Sequence, residues 1–430
     1  MGQLPQRAGG IVHGRGASFV DNRGPFLALG ATLFWGPWGY KFDRARLERT
    51  LQFLADRKVD YVRVLGQVGM AGESDDTWSD RPIDPRWDDA CPSSGSPPAT
   101  CGTYDQVIAG FTDLAYDRYG LRVEWTVFGG TGFTPTPSSR AALVGRMLAM
   151  AKGREHKIMH FEVANEFYQN GFGGPEGLQE LRRLGKRLQD RTRVLVALSE
   201  PPESNCRVLL QMYEGGVGEV VTEHFTRSGE DAGWAAVRAP WNLQACRGLP
   251  RLRSNNEPAG PFSSVRAEAD PLRLAMSAAV TYLSGMGAYV LHTGPGIRGG
   301  GRADLKLGRP ADIEDVPDID RILDALATVR RVLPADLPQW PRRLAGERDP
   351  IRLRAAGSGG VTAFTAARDR RFVIVPLAVE GSLTVRARVP LDLQIVDPVS
   401  GEVRFKDTLP ASGTVTVDGS AAYILSGETR

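Results

Sequence analysis

Along the first two thirds of the chain, short apolar runs alternate with polar stretches and with segments of helical period. The runs cover residues 26–34, 59–68, 121–128, 158–164, 193–198, 219–225, 251–255 and 288–292. Between them, the spacing predicts helices over 43–58, 104–119, 138–152, 175–190 and 270–284, with Asp43 and Ser138 as N-caps. Alternating strands and helices build a parallel sheet with right-handed crossovers. Eight such units are the content of a closed (β/α)8 TIM barrel. An open doubly wound sheet is the competing fold, but no GxGxxG fingerprint follows the first run. After Trp340 the texture changes to short alternating strands around Leu383-Val385-Ala387, Leu391-Leu393-Ile395 and Val415-Val417, punctuated by Gly and Pro. This predicts a C-terminal antiparallel β-sandwich. The expected division is 1–338 for the barrel with its leader and 339–430 for the sandwich. No Trp follows Trp340, so the sandwich reads as a brace rather than a sugar-binding module.

Composition narrows the picture a little. A length of 430 residues suits one large domain plus one small one. A net charge of +3, with arginines spread along the chain, advertises neither nucleic acid nor an anionic membrane as partner. No apolar run approaches the roughly 18 residues of a membrane span. Met1 to Gly10 is polar and Gly-rich, unlike a signal peptide, and leaves secreted and cytoplasmic locations both open. Of the four cysteines, Cys91 and Cys101 flank a Pro/Ser/Gly-rich loop that a disulfide could close, and Cys206 and Cys246 flank one predicted barrel strand. Four unpaired thiols is the plain alternative. No cysteine or histidine cluster has zinc spacing, so neither metal nor cofactor is expected.

In such a barrel the chemistry sits where strands end. The fourth run ends Phe161-Glu162-Val163-Ala164-Asn165-Glu166-Phe167, and the seventh Ser254-Asn255-Asn256-Glu257-Pro258. Strands four and seven face each other across the mouth. Glycoside hydrolysis needs two carboxyls facing one sugar, one to protonate the leaving oxygen and one to attack the anomeric carbon. Glu166 and Glu257 meet that need, with Glu223 at the end of the sixth run as reserve nucleophile.

These strand ends resemble clan A of the retaining glycoside hydrolases, the cellulase-like and β-galactosidase-like barrels, over roughly residues 15–335. The resemblance implies Glu166 as acid/base, Glu257 as nucleophile and Asn165 as partner of the sugar 2-hydroxyl. It also implies Arg63 near the nucleophile and His224 at the end of strand six. The stretch Phe19 to Phe26 is similar to the clan's leader hairpin. Two places depart from the pattern. Strand eight ends Tyr289-Val290-Leu291-His292-Thr293 instead of in a Trp, so the sugar platform comes from elsewhere or the subsite differs, with His292 a substrate-binding candidate, and no Tyr follows His224 by two.

Aromatic side chains supply platforms for sugar rings. Trp35 and Trp38, in a segment read as a Gly/Pro loop, are the preferred candidates. Tyr168 beside Glu166 is another, and Trp125 reads as core. The expected partner is an oligo- or polysaccharide. The Gly/Arg loop 294–302 carries a rival, an enzyme of anionic or phosphorylated sugars, although a mobile lid is the simpler account of it. A non-catalytic carbohydrate-binding barrel is the third possibility.

Overall fold

The computed structural model describes residues 9–68, 83, 85, 102–130, 132–201, 205–225, 233–263, 267–299, 308–357 and 361–430. Cys91, Cys101 and positions 300–302 of the Gly/Arg loop lie outside them.

The eight barrel strands are β1 (Ala28–Thr32), β2 (Tyr61–Leu65), β3 (Arg122–Phe128), β4 (Ile158–Ala164), β5 (Val196–Ala197), β6 (Val220–Glu223), β7 (Leu252–Asn255) and β8 (Ala288–Leu291). They close in the order β7-β8-β1-β2-β3-β4-β5-β6, and every neighbouring pair is parallel. Strands buried on both faces carry apolar residues on both, which is why the runs stood out in the sequence.

Inward positions form layers. Ala28, Tyr61, Met159, Ala197, Val220, Leu252, Ala288 and Val290 make an apolar floor, completed by Val12 and Phe19 of the leader. The leader is a three-stranded antiparallel sheet of His13–Arg15, Ser18–Asp21 and Gly24–Phe26. Gly30 of β1 leaves the space that the Tyr61 ring fills; a Cβ there would lie 2.5 Å from that ring. Above the floor the interior turns polar, and the outward positions pack under the helices.

Asp43 caps Arg44–Asp56, its side chain accepting the Arg46 N–H at 3.2 Å. The next predicted helix runs as Tyr104–Asp113 and continues as a π-helical turn, Leu114–Arg118. The cap of Pro137–Ala151 is Thr136 rather than Ser138: with Pro137 in the first turn, Thr136 Oγ1 accepts the Ser139 N–H at 3.1 Å. The segment expected as a Gly/Pro loop is a helix, Gly36–Phe42, with Pro37 in its first turn, where a missing N–H costs nothing. Part of the Gly/Arg segment is likewise a short helix, Gly294–Arg298, capped by Thr293. Cys206 and Cys246 are joined by a disulfide, which corrects the unpaired alternative for this pair.

The C-terminal strands form a six-stranded and a three-stranded antiparallel sheet. Alternation divides their side chains. Ile351, Phe372, Ile374, Leu383, Leu393 and Leu425 fill the space between the sheets. Phe364, Val373, Val375 and Ile424 join the core that also holds the barrel helices.

Candidate active site

Arg63 is the centre of the polar interior. It has the inward parity of Tyr61 on β2 and is completely buried. Nη1 donates to Glu257 Oε1 at 2.6 Å, while Nη2 donates to Glu162 Oε2 at 2.7 Å and to Asn165 Oδ1 at 2.8 Å. Nε lies 3.2 Å from Glu124 Oε1. Burial works against its charge, but the surrounding carboxylates outweigh it and hold the guanidinium firmly protonated. Burial alone would raise the Glu162 carboxyl; Arg63 and the Thr126 hydroxyl at 2.6 Å instead hold it below the usual range. Asn256 completes this layer, its Nδ2 donating to Glu124 Oε1 at 2.9 Å and to Glu162 Oε1 at 3.0 Å.

One step higher, the chain leaves β4 through a tight turn. Glu166 has φ +40°, a left-handed backbone unusual for a residue with a side chain. Such a conformation costs on the order of 1–3 kcal/mol and persists where its surroundings enforce it. Here the end of β5 does so. The Glu166 N–H donates to the Glu200 carboxyl, and the Phe167 N–H donates to Ser199 Oγ at 3.0 Å. Ser199 Oγ in turn donates to the Ala164 carbonyl. Glu166 keeps 21% of its side-chain surface exposed, whereas Glu257 keeps 7% and Glu200 1%.

Three carboxyls meet one imidazole. His224 Nδ1, at the end of β6, lies 3.3 Å from Glu200 Oε1, 3.4 Å from Glu257 Oε2 and 3.5 Å from Glu166 Oε1. Oxygens of Glu166 and Glu257 lie within 4.8 Å of each other. His292, at the end of β8, approaches Glu257 Oε2 at 3.7 Å through Nε2, and its Nδ1 shares a 2.9 Å hydrogen bond with Thr32. Burial, reinforced by the Glu162 charge, pushes the Glu200 carboxyl well above the ordinary range, and Arg63 offsets this only in part.

The residues expected at the site therefore divide. Arg63, Asn165, Glu166, His224, Glu257 and His292 come together in the mouth. Tyr168 lies beside them with 37% of its surface exposed, and its hydroxyl is pushed up by burial and by the neighbouring carboxylates. Trp35 is a correction. It is completely buried, its Nε1 donates to the Pro295 carbonyl at 2.9 Å, and Arg46 covers its ring at 4.4 Å. No face remains for a sugar. Trp38 is half-buried and packs on Phe42. Trp125 is core, as expected, with its Nε1 donating to Thr112. Glu223 is buried with the outward parity of Val221, next in register to Asn255 of β7.

Two residues at the site escaped sequence reasoning. Phe34, just past β1, lies 5.1 Å from the Arg63 guanidinium and 6.3 Å from the His292 ring. Glu200 follows the fifth apolar run as Ser199-Glu200-Pro201, the same kind of strand-end carboxyl that singled out Glu166 and Glu257.

Glu166, His224 and Glu257 also form the group, among the described residues, whose spacing would admit a metal ion. No protein-family model matches the chain, and no curated protein does. Solved structures do. A glycoside hydrolase superposes with a TM-score of 0.69 at 11% identity, over 99% of each chain. A family 5 glycoside hydrolase from Bacteroides vulgatus gives 0.69 at 12%, over 99% of this chain and 95% of its own. A family 30 endoxylanase from Clostridium papyrosolvens gives 0.54 at 11%, over 94% and 97%. At such identities the likeness is one of architecture: this chain has the (β/α)8 barrel with a C-terminal β-rich domain seen in glycoside hydrolases of families 5 and 30.

Proposed function

We propose that the protein is a retaining glycoside hydrolase, with Glu257 as nucleophile and Glu166 as acid/base. The observation that carries this is the separation of the two carboxyls. Retaining sites place them about 5–5.5 Å apart, whereas inverting sites need roughly 6.5–9.5 Å to admit a water. Oxygens within 4.8 Å fit the first class. The surroundings support the division of roles. Glu257 is ion-paired with a buried guanidinium, which favours the anion a nucleophile needs, and Glu166 is the more exposed of the pair.

In the first step Glu257 attacks the anomeric carbon, and the bond to the leaving oxygen breaks as that oxygen takes the Glu166 proton. In the second, Glu166 takes a proton from water as its oxygen displaces Glu257. Asn165, oriented by Arg63, is placed to hold a sugar hydroxyl. Tyr168, which keeps 37% of its surface exposed, offers the apolar surface a ring stacks on. The substrate is an oligo- or polysaccharide, a reading supported by the glycoside hydrolases and the endoxylanase that share the architecture.

The test begins with a panel of aryl glycosides and polysaccharides, and the active substrate is taken forward. Glu257→Ala should lose turnover on every substrate, and azide should then yield the inverted glycosyl azide. Glu166→Ala should lose turnover of natural glycans yet keep the first step on a dinitrophenyl glycoside, with azide giving the retained product. The opposite stereochemistry would exchange the two roles. Wild-type rates in both variants would remove the pair from catalysis, and no turnover across the whole panel would favour a non-catalytic sugar-binding barrel.

A further inference from the structure

We infer that Glu200 is a positioning residue for the acid/base, holding the left-handed turn that aims Glu166 into the mouth. The inference rests on the glycosidase reading above and adds a residue to it. Three observations on different parts of the molecule meet at this side chain. First, Glu166 carries a side chain at φ +40°, and its own N–H is bound by the Glu200 carboxyl. A backbone held this way relaxes when its partner is withdrawn, because the N–H is then left without its acceptor. Second, the same Glu200 oxygen faces His224 Nδ1 at 3.3 Å, the nitrogen that also faces Glu166 and Glu257. Glu200 thus holds the backbone of Glu166 and faces the imidazole that lies against both members of the pair. Third, Glu200 is 1% exposed, and its Oε2 has no hydrogen-bond partner among the described residues. A buried carboxyl with an idle oxygen is costly, so burial of this kind asks for a function beyond solvation. Ser199 adds a parallel tether one residue on, through the Phe167 N–H, so the whole β4 exit is strapped to the β5 exit.

A positioning role for the acid has a signature that general loss of structure lacks. Help from a general acid matters in proportion to how poor the leaving group is, and is worth about 10²–10⁴-fold for a poor one. With the sugar identified by the panel, kcat/KM would be compared on phenyl and dinitrophenyl glycosides. Glu200→Ala should lose about 100-fold on the phenyl substrate and less than about threefold on the dinitrophenyl one. Glu200→Gln, whose amide oxygen can still accept the Glu166 N–H, should recover most of the phenyl activity. If Glu200→Ala does not fold, Glu200→Asp draws the carboxyl back by one methylene and should show the same selective loss. Equal losses on both substrates, or none, would overturn the inference. Glu166→Ala run in parallel separates the failures. If it too lacks the leaving-group dependence, the acid/base assignment falls; if it shows the dependence and the Glu200 variants do not, only the role of Glu200 falls.

Discussion

Around Arg63 one guanidinium answers for several buried carboxyls, and that imbalance sets the behaviour of the interior. Glu124, Glu162 and Glu257 all touch it. Removing one partner of a buried pair leaves an uncompensated charge and costs about 3–5 kcal/mol. Arg63→Met should therefore lose at least that much in denaturant unfolding, and a variant as stable as the wild type would mean the carboxyls are not charged together. The two displaced titrations act in opposite directions. Glu162 is held low, so its contribution to stability is complete above the unfolded value of about 4.3 and is lost as pH falls through its folded value. Glu200 is held high by burial, so its contribution is complete below about pH 4.3 and drains away as pH rises through its folded value. Glu200→Gln cannot ionise. Above about pH 4.3 its melting temperature should therefore decline less with rising pH than that of the wild type, and parallel curves would contradict the assignment.

At the scale of elements, the Cys206–Cys246 bond ties the helix after β5 to the segment entering β7, across a sequence separation of 40. Loop-closure entropy for that span corresponds to about 4 kcal/mol. Reduction, or a Cys206→Ser/Cys246→Ser double variant, should lower unfolding free energy by about 2–4 kcal/mol; an unchanged denaturation midpoint would show that the bond constrains nothing. The strands were legible because a barrel strand buries both faces, so β4 was bounded correctly from its apolar run alone. Failures came where one residue type serves two structures. Gly36 and Pro37 read as a loop, but Pro in a first helical turn is a helix start, and the helix that follows carries Trp35 into the core. The fifth apolar run ends at Leu198 while β5 pairs over only Val196–Ala197, so nothing in the run itself points to the carboxyl two residues on. Phe34 was hidden for a similar reason: as the last apolar residue of a run it looked like strand, and nothing local says that it turns toward Arg63.

At the scale of the molecule, the helix Pro271–Leu283 shows how the two parts depend on each other. Every residue from Leu274 to Leu283 is buried. A helix apolar on all sides is one covered on all sides. Here the barrel strands cover one face, and Phe364, Val373, Val375 and Ile424 of the six-stranded sheet lie in the same core. Trp241, beyond β6, reaches the same sheet, its ring 4.6 Å from that of Phe364. The sheet is thus the outer wall of the barrel's own core, with the three-stranded sheet closing its far side. Two outcomes are expected. The full chain should unfold in one calorimetric transition, with activity lost along it. A chain ending at Gln339 would expose the Leu274 to Leu283 surface and should aggregate on expression. Val375→Asp tests the same contact without truncation, because it places a charge on the barrel-facing side of the sheet, where Val375 is completely buried. It should lower the single transition by several kcal/mol rather than split it in two. A separate early transition for the sheets, or a soluble, active truncated barrel, would show that the C-terminal sheets are an independent module.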